Sequence, residues 1–154
     1  MQEGENLEEL LKTIKAEQKV LHKKYNKYVP FLLKISPDNT KSQLSIICSL
    51  LIKYKIDGVI ATNTTLSRSE VEKSPRRNES GGLSGAPLRT SSLKTLKTLK
   101  LSLKGKIPII GVGGVMSGKD GKEKVDNGAE LIQIYSGLIF KGHKLIYELC
   151  REIR

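Results

Sequence analysis

The sequence has 154 residues, 38% hydrophobic and 28% charged, the composition of one soluble globular domain spanning residues 1–154. Its formal net charge of +11 comes from lysines and arginines spread along the whole chain, without aromatic interleaving or a nucleic-acid motif. That charge therefore reads as solvated surface and not as a nucleic-acid footprint. No apolar run approaches the ~20 residues of a membrane-spanning helix. The opening MQEGENLEEL is acidic and polar, unlike a signal or transit peptide, so a cytoplasmic location is expected.

Taken in chain order, the pattern opens with a helix. Asn6 with Glu9 resembles a capping box, and Leu10, Leu11, Ile14 and Leu21 follow at helical spacing. A short apolar run from Phe31 to Ile35 predicts the first strand. Thr40 then caps a helix whose stripe is Leu44, Ile47, Cys48, Leu51 and Ile52. Asp57 to Thr62 predicts the second strand. A long loop follows, with EKSPRRNES as its mobile part and GGLSG (Gly81 to Gly85) returning tightly to a ligand. Thr90 or Ser91 caps a helix carrying Leu93, Leu96 and Leu99. The third strand runs from Ile107 to Val112, with a short helix from about Ser117 to Asn127. Leu131 to Tyr135 is the fourth strand, and Leu145, Ile146, Leu149, Cys150 and Ile153 form the last stripe.

One helix and then four βα units specify a parallel α/β fold with right-handed crossovers. The nearly continuous apolar runs predict strands covered on both faces. Periodicity leaves two architectures open: a doubly wound open sheet, or half of an eight-stranded (β/α) barrel, which takes ~250 residues when complete. Cys48 and Cys150 match no metal or redox spacing and read as small buried hydrophobes in a reducing compartment. His22 and His143 are isolated in charged surroundings and read as surface residues, and no metal site is expected.

The chemistry-bearing residues fall at the C-terminal ends of the strands, the ligand edge of every parallel α/β fold. Lys34, set among apolar residues in FLLKIS, predicts a buried cation aimed at an anion or strong acceptor. Thr62, Asn63 and Thr64 in ATNTT supply donors and acceptors for a planar ligand. GVGG, Gly111 to Gly114, is not the GxGxxG dinucleotide fingerprint, yet its glycines let backbone N–H groups approach an anion. IYSG places Tyr135, Ser136 and Gly137 at the last strand end. Two glycine-bearing ends in the last two units point to a phosphate-bearing cofactor.

The ordered set VPFLLKISPD, DGVIATNTTLSRS, GGLSGAPL, IPIIGVGG and LIQIYSGLIFKG resembles the quinone-linked dihydroorotate dehydrogenases, over nearly the whole chain. The resemblance implies an α/β fold that is a partial (β/α)8 TIM barrel, its C-terminal four βα units preceded by one helix. It implies FMN as cofactor, oxidation of dihydroorotate to orotate in pyrimidine (UMP) biosynthesis, and a quinone as electron acceptor. Carried over by position, Lys34 and Thr62 would contact the isoalloxazine or ribityl part of FMN. Gly85 would approach the flavin by its backbone, and Gly114, Tyr135 and Ser136 would form the phosphate end. Asn63 and Thr64 would hydrogen-bond dihydroorotate or orotate.

In this family a serine base, substrate-holding asparagines and a helical membrane-docking segment belong to the first half. No catalytic base is therefore expected in this chain, and the isolated chain is expected to be inactive. Two further readings accompany this one. The chain could be one subunit of a split enzyme completed by an N-terminal half chain, or a non-catalytic FMN-binding half barrel that self-associates. The resemblance implies a family docked peripherally on the inner cytoplasmic or mitochondrial membrane.

Overall fold

The computed structural model of the chain describes residues 2–153. In order these are α1 (Gln2–Tyr25), β1 (Leu32–Ile35), α2 (Lys41–Lys53), β2 (Gly58–Ala61), α3 (Arg89–Leu103) and β3 (Ile109–Val112). Then come α4 (Gly118–Asp126), β4 (Leu131–Gln133), α5 (Ser136–Lys141) and α6 (Lys144–Glu152). Short 3-10 turns occupy Ser69–Val71 and Ala86–Leu88. The strands form one parallel sheet in the order β1-β2-β3-β4. All four expected βα units are present, with strands shorter than the apolar runs suggested.

Local chemistry explains most boundaries. Thr40 caps α2 as expected, with a reciprocal box in which the Gln43 N–H donates to Thr40 Oγ1 and the Thr40 N–H donates to Gln43 Oε1 at 2.8 Å. Ser117 caps α4 by accepting from the Asp120 N–H. Thr90 and Ser91 cap nothing, because α3 grows directly from the 3-10 turn containing Pro87 and both lie inside it. Its buried face is therefore Ser92, Thr95, Leu96, Leu99 and Leu103, with Leu93 only half-buried. The Asn6–Glu9 box is also absent. Helix α1 already runs from Gln2, since the Gln- and Glu-rich start favours helix and nothing in it stops one. Of its expected stripe only Leu11 is fully buried, while Leu10 and Leu21 are exposed.

One face of the sheet, bearing Ile35, Val59, Ala61 and Ile109, packs with Leu44, Ile47, Leu51, Leu96 and Leu99 of α2 and α3 into the main core. Each fully buried Leu, Ile or Val there contributes roughly 1.5–3 kcal/mol. The opposite face carries Leu32, Lys34, Ile60, Ile110, Leu131 and Gln133 in register, and it is covered by no helix. The expectation of strands covered on both sides therefore fails, for that second face has no layer against it among the described residues. Lys34 is consequently exposed, not embedded.

Asp57 ties the N-terminal helix to the sheet. Its carboxylate accepts from the Phe31 N–H at 2.8 Å, from Gln18 Nε2 at 3.1 Å and from the Tyr28 hydroxyl, with Lys15 at 3.7 Å. Burial acts to raise this carboxyl, but the hydrogen bonds from Phe31, Tyr28 and Gln18 outweigh it and hold Asp57 below the ordinary value. Cys48 is buried as expected, and burial pushes its thiol up. Cys150 is exposed, because among the described residues no further element packs over the flank of α6 that carries it. His22 and His143 are both exposed.

Candidate functional site

The C-terminal ends of all four strands open into one cleft of about 240 Å³. Lys34, Thr62, Asn63, Thr64, Gly85, Gly114, Tyr135 and Ser136 all line it, so the eight residues carried over by position are brought to one place, while Gly81 and Gly111 of the two glycine motifs lie outside it. Ser84, Leu88, Gly113, Met116, Gln133 and Ile134 line it as well.

The second strand end is fixed by continuation of the sheet. The Thr62 N–H donates to Val112 O at 3.1 Å and the Asn63 N–H donates to Ile35 O at 2.7 Å. Thr62 is buried, while Asn63 and Thr64 are exposed to the cleft. The Ala61–Thr62 peptide is cis. Among the described residues Lys34 makes no ion pair, so its ammonium stands at the cleft without a fixed counter-charge.

The long loop closes at its base. Thr65 and Leu83 exchange backbone hydrogen bonds at 3.1 and 2.8 Å, and Ser84 Oγ lies 2.9 Å from Ser136 Oγ. The second contact brings the GGLSG segment against the end of β4. Arg68 clasps the loop by donating to the carbonyls of Thr65, Leu66, Ser67, Glu79 and Gly81 at 2.6–3.3 Å. The Thr65 hydroxyl and the Leu66 N–H both donate to Asp38, which joins this loop to the one after β1.

The turn after β3 is built from both sides. Gly113 and Gly114 have φ of 99° and 73°, a region open to glycine. A Cβ on Gly114 would fall 2.3 Å from Arg89 Cα, so the turn lies directly on the start of α3. Gly137 makes the matching approach from α5, where a Cβ would sit 2.1 Å from Val115 O. Behind the turn, Ser92 Oγ donates to Gly113 O at 2.9 Å or to Arg89 O at 3.0 Å, and accepts from Lys124 Nζ at 2.8 Å. Beyond it, Asp120 accepts from the Met116 N–H at 3.0 Å and pairs with Arg89 at 2.7 Å. Arg89 also bonds Glu123 at 2.8 Å.

Lys124 is only 1% exposed. Burial pushes its ammonium down to about 8, an effect opposed by the carboxylates of Glu123 and Asp120 and reinforced by Arg89. Sequence reasoning passed over both Lys124 and Ser92. Nothing in KDGKEKVDN marks one lysine as buried, because its burial depends on Gly111, where a Cβ would meet its Cδ at 3.2 Å. No group of His, Cys, Asp and Glu able to hold a metal ion occurs among the described residues.

A parallel α/β sheet with a cleft at its strand ends is the arrangement in which α/β proteins take their ligands. The dihydroorotate dehydrogenase family profile matches residues 1–154, and the chain belongs to that family. It is 54% identical over 152 residues to the dihydroorotate dehydrogenase (quinone) of Wigglesworthia glossinidia brevipalpis, covering 99% of this chain and 45% of that protein. The same-named protein of Haemophilus influenzae (strain ATCC 51907 / DSM 11121 / KW20 / Rd) is 48% identical over 154 residues, covering 100% and 45%. The chain thus spans somewhat less than half the length of these relatives.

Among solved structures, the ferulenol complex of the Eimeria tenella enzyme superposes with a TM-score of 0.75 at 32% identity, covering 79% of this chain and 32% of that one. The ligand-free form gives 0.78 at 31% identity, covering 82% and 35%. The partial-barrel architecture and the resemblance to the quinone-linked enzymes are both borne out, and the open-sheet alternative is set aside.

Proposed function

We propose that this chain forms the FMN-binding C-terminal part of a dihydroorotate dehydrogenase, which oxidises dihydroorotate to orotate and passes the electrons to a quinone when the rest of the barrel is joined to it. The observation that supports this reading is the convergence of the eight residues on one cleft. The residues fit a flavin mononucleotide. The Gly113–Gly114 turn, whose positive-φ backbone leaves no room for a Cβ beside Arg89, offers main-chain donors to the phosphate together with Tyr135 and Ser136. Lys34 and Thr62 sit where the ring or ribityl chain would run, Gly85 would lie against it, and Asn63 and Thr64 would hold the substrate.

Bound FMN would supply the hydride acceptor. The chain's own part is to orient cofactor and substrate and to provide the Lys34 charge beside the reacting groups. No serine of the cleft matches the family's base, so that general-base help, worth ~10²–10⁴-fold, is assigned to the other half of the barrel. Membrane docking is assigned there too; among the described residues no helix is long and apolar enough to cross a membrane.

The test is to purify the chain, record its visible flavin absorption and titrate FMN if it is colourless. Saturable FMN binding supports the reading. A folded chain that takes up no FMN, alone or with an N-terminal half from a relative, overturns it.

Among the described residues the sheet face with Ile60, Ile110 and Leu131 is uncovered and the outer edge of β4 unpaired, which favours an association reading beside this one. The chain would pair with an N-terminal half chain or, failing that, with a second copy. Light scattering after co-expression decides it: a strictly monomeric chain in both settings removes the idea.

A further inference from the structure

We infer that Lys124 and Ser92 are positioning residues for the phosphate-binding turn, acting as a buried relay that sets the direction of the Gly113–Gly114 peptide. The inference rests on the reading of that turn as the phosphate end of the site. Lys124 Nζ donates to Ser92 Oγ at 2.8 Å, and Ser92 Oγ lies 2.9 Å from Gly113 O. An ammonium can only donate, so it occupies a lone pair of the hydroxyl and leaves the hydroxyl proton for a carbonyl. The Gly113 carbonyl, nearer to the hydroxyl than Arg89 O at 3.0 Å, is thereby turned toward α3, into the protein.

In a trans peptide the C=O and the following N–H point in opposite directions. The Gly114 N–H therefore faces away from α3, on the side where Gly114 lines the cleft. Two glycines with positive φ have little conformational preference of their own, so the direction of this peptide needs an external hold. Asp120 supplies a second hold through the Met116 N–H, but beyond the peptide in question. Lys124 and Ser92 are almost wholly buried and do not themselves line the cleft, so their effect on a ligand passes through the turn that Ser92 touches.

The competing explanation is that Lys124 fills space under Gly111 with its methylenes, which methionine could do equally well. The test compares the wild-type chain with Lys124→Met and Ser92→Ala, using FMN and riboflavin as probes. Riboflavin lacks the phosphate and so reports every other part of the site. Each variant is expected to bind FMN about tenfold more weakly, the loss of one well-aimed hydrogen bond, with riboflavin unchanged. The double variant should be no worse than either single one, since all three break the same relay. An undiminished preference for FMN over riboflavin in both variants overturns the inference.

A wild-type chain with no such preference would instead refute the phosphate reading. The relay itself is then decided by the Gly114 amide resonance in heteronuclear NMR spectra. Displacement of that resonance in both variants supports the relay, and an unmoved resonance in both refutes it.

Discussion

Lys124 also makes stability depend on pH, with a sign opposite to that of a lysine held in an ion pair. Its side chain is 1% exposed, and burial lowers its ammonium from 10.5 to about 8. Between those values the unfolded chain holds a proton that the folded chain has released, so stability rises with pH across that window. At about 1.4 kcal/mol per pH unit, the gain from pH 7 to pH 10 is roughly 2.5 kcal/mol. Lys124→Met cannot show it. Urea unfolding of both proteins at pH 7, 8, 9 and 10 isolates this contribution, because every other titrating group is common to the two. At pH 7 the variant should be close to wild type, since relief from burying a charge offsets the lost hydrogen bond to Ser92. The stability difference, wild type minus variant, should then climb by about 2–3 kcal/mol toward pH 10. A difference that stays constant across the series would show that Lys124 keeps its proton in the folded protein as a solvated lysine does, and the reasoning would fail.

Four other outcomes follow from the same geometry. Gly114→Ala should destabilise by about 2–4 kcal/mol in chemical denaturation, from the left-handed backbone together with the clash on Arg89, and should abolish FMN binding by titration. Asp57→Asn should flatten the loss of stability on acidification: the native carboxyl lies below its unfolded value, so its contribution is present above that value and disappears as pH falls through the native one. Arg68→Ala should speed amide exchange at Thr65 and Leu83 by about tenfold or more while leaving the α2 amides unchanged, as read by exchange NMR. Leu131→Glu should leave circular dichroism intact, because Leu131 is already exposed, but block complex formation with an N-terminal half chain in light scattering.

The sequence carried the framework and the front of the site for identifiable reasons. Strand ends are marked by the change from apolar runs to Thr, Asn and Gly, so residue pattern alone assigns ATNTT, GVGG and IYSG to one edge of the sheet. What stands behind them was not legible. Arg68 reads as any loop arginine, and its five carbonyl partners come from both ends of the loop. Lys124 reads as one more charge on a solvated helix, and Cys150 as part of an inward stripe. In each case the deciding neighbour, or its absence, lies far along the chain, where helical periodicity has no information.

The sequential strand order bears on how the chain is made. Each of β2, β3 and β4 pairs with the strand synthesised just before it, so none waits for a segment more than one unit away. As the polypeptide leaves the ribosome, one βα unit at a time can dock on the ledge already formed. The α1 helix precedes this sheet in the chain, and Asp57 fastens it as β2 begins. Among the described residues β4 keeps one edge free, a ledge that one more parallel strand can extend.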